Sequence, residues 1–442
     1  MERLLFELPV QEKSQEQSAI QGRKRIRYAQ RDQIEFKISS IEDLLPPDHR
    51  ARDVWEYVCQ LDLSNFYHCI KVLECGKGPA TIDPRILMAV WLYALLNGEI
   101  SARAITKLCS EHHAYIWLCG GVSMNYHTLS DFRSKSANFR EVLQESIAIM
   151  WKAGLFTPEK VAQDGTRVKA HAGANSLRRE ETLDRLIKEA CLYIKKLEQE
   201  STDSFRKKAA MERAAKEKKE RLEQAKKELA EYKNQRVQSS KKNHEKFTEE
   251  DKKKLRISIN DPECRKMKMG DGGFRPAYNV QFATSTSKKV ILGVNISNSL
   301  DPGTLNPMMK QVHDNLQAVN CKIKPNKWLL DSAYANNADL AIAEVNFPDI
   351  TIYSPPRSQN KSNALLPQKN DNQAMKNLKE RMGTEEAKDI YKERSSTAEF
   401  SNACTKNRGM DQFLVKGIKK VMNMALLYGI MHNMMMFFTY SR

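Results

Sequence analysis

The chain has 442 residues, a formal net charge of +17 and a mean hydropathy of −0.61. That length holds two or three domains, each able to bury its own core, and the charge favours a polyanionic partner, nucleic acid before anionic membrane. Nine cysteines without a C-x-x-C pair argue against the common zinc and redox motifs, and Met1 to Leu8 lack the pattern of a signal peptide, so a cytoplasmic protein with reduced thiols is expected.

Residues 1–45 read as an N-terminal arm, basic from Arg23 to Arg31, with a period-two run at Gln33–Ile38 that suggests a short strand before Pro46-Pro47. Residues 46–155 read as helical. Val54, Trp55, Val58 and Leu61, and then Ile86, Leu87, Val90, Trp91 and Leu95, recur at three and four spacing. Asp83 precedes Pro84 as a cap precedes a first-turn proline, and Thr128 with Asp131 predicts a capping box that opens one helix through about Lys152. The result is an all-α region with helix-turn-helix character. Its His112, His113 and His127 have the wrong spacing for a shared metal face, so polar packing or DNA contact is expected of them.

Val161 to Ala170 then reads as a strand. From about Glu180 to Leu255 the chain is rich in Lys, Glu, Ala, Leu and Arg, and Leu183, Leu186, Ala190, Tyr193 and Leu197 keep a helical stripe. Residues 185–256 carry 23 Lys/Arg against 14 Asp/Glu, an excess of nine. A solvated helical hairpin laced with i,i+4 pairs is one reading and a basic arm tracking phosphates the other; the excess of one sign favours the second. Strands return at 277–284 and 290–296, joined by a turn at 285–289. A helix follows at 305–316, a strand ending at Asp331, a helix across 338–345, a strand at 350–354, a polar loop over 356–385, and helix from about Ala398 to the end. Residues 421–440 carry no Lys, Arg, Asp or Glu, but Asn423, Gly429, His432 and Asn433 interrupt them, so a buried core helix is expected and no membrane span. The fold class is thus α+β or α/β: a mixed sheet in 156–442, interrupted by a long coiled-coil-like insertion at 178–258 and preceded by the all-α region.

Three acids stand out: Asp164 in the first strand, Asp331 at the end of a later strand, and Glu399 in the helical C-terminal part. Removing the insertion leaves β-β-β-α-β-α-β-α, and right-handed crossovers would set the Asp164 and Asp331 strands side by side. Grouped carboxylates repel unless a cation is bound, and oxygen donors suit Mg²⁺. Each acid also has an ordinary role open to it: Asp164 before Gly165 as a turn residue, Asp331 as the cap of the next helix, Glu399 as the partner of Ser396 in a capping box. Tyr391 and Arg394 precede Glu399, and Lys406 and Arg408 follow it; a phenol and cations beside a metal-binding carboxylate can hold the phosphates flanking a scissile bond.

The series Asp164, Asp331 and Tyr391…Arg394…Glu399…Lys406 resembles the Asp-Asp-Glu (DDE) transposases of bacterial insertion sequences with the Tyr-Arg-Glu-Lys signature. Residues Leu118–Arg133 resemble the end of that family's InsH-type N-terminal domain, Ala162–Ala172 its first catalytic strand, and Gly273–Ala283 the next strand. The resemblance spans nearly the whole chain. It implies a ribonuclease-H-like catalytic domain and an N-terminal domain that binds the terminal inverted repeats. It also implies that Asp164, Asp331 and Glu399 hold two Mg²⁺ (Mn²⁺ can substitute) to nick the ends and join the 3′-hydroxyls to target DNA. Tyr391, Arg394, Lys406, Arg408, Arg167 and Lys169 are expected on double-stranded DNA, in a homodimeric synaptic complex at the bacterial nucleoid. The competing expectation is a transposase-derived DNA-binding protein without turnover. Four residues rather than three separate Arg394 from Glu399, which would set Arg394 ahead of the helix that carries Glu399. Ser332-Ala333 stand where glycines are usual, and His171 stands where a small residue is.

Overall fold

The computed structural model describes residues 40–70, 80–199, 205–242, 247–299, 301–356 and 365–441, so the arm strand expected at 33–38 lies outside them. The helical region holds α1 (Arg50–Gln60), α2 (Ser64–His68), α3 (Pro84–Leu96), α4 (Ala102–Glu111), α5 (His113–Cys119), α6 (Tyr126–Lys135) and α7 (Phe139–Lys152). Asp83 caps α3 through Arg85 N, as its sequence predicts. The single helix expected from Thr128 to Lys152 is instead two. The Asn125 side chain accepts from His127 N and starts α6 earlier, and Ser136 takes an extended conformation that ends it before α7 begins. His112 Nδ1 accepts from Ala114 N at 3.2 Å and so caps α5, while His127 stacks on Tyr126.

The chain enters the sheet in β1 (Lys160–Lys169), forms the short β2 (Leu177–Arg178) outside it, and continues into three helices: α8 (Glu180–Gln199), α9 (Phe205–Lys242) and α10 (Glu249–Lys254). α8 and α9 pack on each other through Leu183, Ala190, Leu222, Ala225 and Leu229, a small core separate from the main one. The chain returns in β3 (Ile257–Ser258), which pairs antiparallel with β2 and closes the base of the hairpin. Then follow β4 (Arg265–Lys268), β5 (Phe274–Ser285), β6 (Ile291–Ser297), α11 (Leu305–Ala318), β7 (Lys327–Leu330), α12 (Asn337–Asn346) and β8 (Thr351–Tyr353). The sheet order is β4-β5-β1-β7-β8, with β6 also on β5. β5 runs antiparallel to β1 and β6, whereas β7 is parallel to β1 and to β8.

Two expectations about the C-terminal part need correction. Within the loop expected at 356–385 lies α13 (Gln373–Met382), capped by Asn372, with Met375, Leu378 and Met382 buried. Next, α14 runs from Glu385 to Lys406, not from about Ala398. Thr384 caps it and two glutamates occupy its first turn, which suits a helix N-terminus. Arg394 therefore lies inside the helix that carries Glu399, and Ser396 donates to Glu393 O in mid-helix rather than capping anything. α15 (Ile418–Tyr440) ends the chain.

Among the described residues α15 alone is long and apolar enough to cross a membrane, and 78% of its apolar window is buried. It packs on β6, α7, α3, α6 and α1, so one hydrophobic core runs from Leu45 to Met436 across both the helical region and the sheet. Its polar interruptions each have a partner or a packing role. Asn433 Oδ1 accepts from Ile291 N at 2.8 Å while its Nδ2 donates to Ile291 O and Ser146 Oγ, both at 2.9 Å. Asn423 donates to the carbonyls of Arg133 and Ser136, and His432 Nε2 meets Lys289 O at 2.8 Å. A side chain at Gly429 would lie 3.0 Å from Val294, so its absence lets α15 approach β6. Asp261 and Glu263, on the chain returning from the hairpin, accept from the Gly417 and Ile418 amides at the start of α15, where free N–H groups seek acceptors.

Candidate active site

β1 and β7 are parallel in a register that sets Gln163 beside Leu330. Asp164 and Asp331 each follow this last pair, Asp331 just past the end of β7, on strands about 5 Å apart. The crossover expected from chain order is therefore what brings these acids together. Asp331 closes its strand as a turn. Its Oδ1 accepts from Ser332 N at 2.7 Å and its carbonyl accepts from Tyr334 N and Ser354 Oγ, both at 3.1 Å. The cap of α12 is Asn336, not Asp331.

α14 lies across β1, β5 and β7. It turns Arg394 and Asn402 onto Asp164: the Arg394 guanidinium is 3.2 Å from Oδ1, and Asn402 Nδ2 donates to Oδ2 at 3.2 Å. Burial raises the Asp164 pKa. The Arg394 charge and the Gly165 N–H oppose that shift, and the carboxylates of Asp301 and Asp331 add to it. Tyr391, one turn before Arg394, hydrogen-bonds to it and feels both aspartates; burial raises its phenol to about 12, so it remains a hydrogen-bond donor at neutral pH. Lys406 is exposed at the far end of the helix, where the protein around it lowers its pKa and the Asp164 charge partly restores it.

Glu399 is on α14, one turn before Asn402, but is exposed. Among the described residues no group of three or more His, Cys, Asp or Glu side chains is arranged to hold a metal. The other basic residues named from sequence are dispersed. Arg167 donates to Lys268 O at 2.5 Å, Lys169 faces Asp411 at 3.9 Å, and Arg408 donates to Cys404 O at 3.0 Å.

Several residues of the site escaped the sequence reading. On the opposite face of the sheet a buried polar network braces the two aspartate strands. Trp328 Nε1 donates to Gln163 Oε1 at 3.2 Å, Tyr334 OH to Gln281 Oε1 at 2.6 Å, and the amides of Gln281 and Asn279 to Asp301 Oδ1 at 3.0 and 2.9 Å. Gly165 leaves room for this network: a Cβ there would stand 2.1 Å from Gln281 Nε2, so that side chain would have to shift. The alternation of Gln163, Gly165 and Gln281, Asn279 along β1 and β5 was the signal available: glutamine and asparagine at inward strand positions need partners. For Asn402 the signal was its spacing of eight from Arg394, which places both on one helix face.

The donor set suits a hard cation in part. Mg²⁺ is commonly held by one or two carboxylates with waters and substrate phosphates, and Asp164 and Asp331 form such a pair.

Residues 39–135 match a family model described as a transposase domain (DUF772), and residues 356–437 match one described as a transposase DDE domain. The second match includes all of α14, the helix that covers Asp164, and implies a ribonuclease-H-like fold for the sheet. Both matches are to transposase domains and support an insertion-sequence DDE transposase. No curated protein and no solved structure matches it.

Proposed function

We propose that this transposase cuts and joins DNA at a centre built on Asp164 and Asp331, with Glu399 as the third acid. It would bind the terminal inverted repeats of its element, nick their ends and join the freed 3′-hydroxyls to target DNA. The observation that carries the reading is the register of β1 and β7, which makes Asp164 and Asp331 neighbours beneath a helix bearing Arg394, Tyr391 and Lys406. When bound there, Mg²⁺ or Mn²⁺ would activate water and stabilise the leaving oxygen. The chain's own residues supply the rest. The Arg394 guanidinium neutralises Asp164 in the bare protein and offers further N–H donors to a phosphate. Tyr391 keeps its proton and orients Arg394. Lys406, exposed on the same helix, extends the cationic face of α14, and Arg408, Arg167 and Lys169 are separate contacts proposed for the duplex. The helical region at 46–155 is the end-binding part of this reading, and two copies pairing two ends make a homodimer the working form, in the cytoplasm where the DNA is.

The test uses the full chain, Mg²⁺ and a duplex carrying the ends of its own element. Cleavage by the wild type that is lost in both Asp164→Asn and Asp331→Asn supports the proposal; cleavage by either variant at the wild-type rate overturns it. One observation favours a second reading, DNA binding without turnover: the exposed Glu399 leaves no three-acid group among the described residues. End binding without any cleavage in the same assay would select it.

A further inference from the structure

Asn402 stands two turns beyond Arg394 on the inward face of α14, and the two side chains divide the Asp164 carboxylate between them. The amide is only half used. Its Nδ2 donates to Asp164, but its Oδ1 is buried and has no partner among the described residues. Of the amides that brace this fold, Asn433 and Asn315 are occupied at both ends, whereas Asn306 likewise leaves a buried Oδ1 without a partner among the described residues. Asn433 bonds through Oδ1 and Nδ2, and Asn315 donates to Leu292 O while accepting from Gln144. A buried carbonyl oxygen seldom goes without a donor or a cation, because the lost hydration costs about 1–3 kcal/mol.

What could satisfy that oxygen follows from its neighbour. Asp164 is an acceptor, so a shared neutral donor would serve one oxygen at a time. A divalent cation serves an amide oxygen and a carboxylate together, and Mg²⁺ and Mn²⁺ take oxygen donors of both kinds. Exchanging the ends of the amide requires only a half-turn about its last side-chain bond and no backbone motion. The nitrogen that now donates to Asp164 would then face away, and the oxygen would face the ion.

We propose that Asn402 is a divalent-cation ligand of the Asp164–Asp331 centre, working beside Glu399, which lies one turn earlier on the same helix. This rests on the metal-dependent reading above. It makes α14 a two-ligand helix, Glu399 and Asn402 at i,i+3, with Arg394 as the cation's competitor for Asp164 when DNA is absent.

The experiment measures Mn²⁺ binding to the full chain without DNA, by calorimetry or by the free-ion electron-spin signal, in the wild type, Asn402→Ala, Asn402→Asp and Asp331→Asn. Asn402→Ala should raise the Mn²⁺ Kd roughly tenfold, the scale seen when a residue of a metal site is removed. Asn402→Asp, which keeps an oxygen at that position, should bind as tightly as the wild type or more so. A residue that only donates to Asp164 predicts wild-type or tighter Mn²⁺ binding in Asn402→Ala, since the cation would no longer compete with its N–H for the carboxylate. Wild-type affinity in Asn402→Ala, or equal weakening in both variants, overturns the proposal. Weakening in Asp331→Asn alongside either of those results leaves the aspartate pair standing without Asn402. Undiminished binding in Asp331→Asn removes the pair, and this inference with it.

Discussion

The last two helices, α14 and α15, are nearly the same length, 22 and 23 residues, and both press polar side chains toward the interior. They use them differently. α15 directs Asn423, His432 and Asn433 at backbone groups of other elements, partners that never leave. α14 directs Arg394 and Asn402 at a carboxylate, a partner that a phosphate or a cation can replace. A polar residue on a buried helix face is therefore not informative by itself. What it faces separates scaffold from site. The division is not perfect, because His432 Nδ1 also lacks a partner among the described residues; burial there lowers the ring's pKa to about 4, which keeps it neutral.

The strongest way to break this comparison is at the site. Asp331→Asn should lower DNA strand cleavage by roughly 1000-fold or more, the scale of losing a fixed electrostatic stabiliser, with end affinity unchanged or slightly tighter because one repelling carboxylate is gone. Band-shift and cleavage assays on the same duplex read both quantities. A variant that loses binding and cleavage in parallel would make Asp331 a fold residue, on the α15 side of the division.

On the scaffold side, Asn433→Leu strips both partners from the buried Ile291 peptide group. The expected loss is about 3 kcal/mol of unfolding free energy, one buried donor and one acceptor left unpaired. Denaturant unfolding of Asn433→Leu beside Asn402→Ala sharpens the contrast, since Asn402→Ala should cost well under half as much. Equal losses would erase the distinction. A smaller effect is expected at Arg394, which pairs with Asp164 at 3.2 Å. Arg394→Gln removes the cation's rival and should tighten Mn²⁺ binding in the absence of DNA by severalfold while weakening end binding. Weaker Mn²⁺ binding in this variant would mean that Arg394 positions Asp164 instead of competing for it.

Much of this was legible in the sequence. The apolar runs and their breakers placed β1, β5, β6, α11, β7, α12 and β8 within a few residues, and chain order alone put the Asp164 and Asp331 strands together. Those are local periodicity and topology, which a chain displays directly. The start of α14 was missed because its first half, Glu385–Arg394, is charged on its outer side and has few apolar markers; its cap, Thr384, was the stronger signal. The break between α6 and α7 was hidden by a capping-box pattern that competes with Asn125 three residues earlier. The exposure of Glu399 depends on how α14 settles on three strands at once. No spacing rule reports that, and the single extra residue between Arg394 and Glu399 was its only trace.

The α8–α9 hairpin supplies a third kind of helix, whose charges face neither backbone nor site. Residues 185–256 hold 23 Lys/Arg against 14 Asp/Glu. Some of these charges pair internally, as Lys226 with Asp184 and Lys233 with Glu180. Others, such as Lys216, Lys218 and Lys227, are exposed and stand in no ion pair among the described residues. If those lysines track phosphates, removing one lysine–phosphate pair should reduce the slope of log affinity against log salt by about 0.9. The fold shows how to remove the hairpin cleanly: Leu177 pairs with Ser258 and Arg178 with Ile257, so residues 179–256 can be replaced by an Asn-Gly turn that suits two antiparallel strand ends. The deletion also bares Arg265, which now packs on Tyr232 and pairs with Glu228 at 3.4 Å. For that reason the triple change Lys216→Gln, Lys218→Gln and Lys227→Gln is measured beside it. A flatter salt dependence in both makes the hairpin a DNA-tracking arm. An unchanged slope in both makes its charge a solubilising surface, and leaves α14 as the helix that meets the DNA.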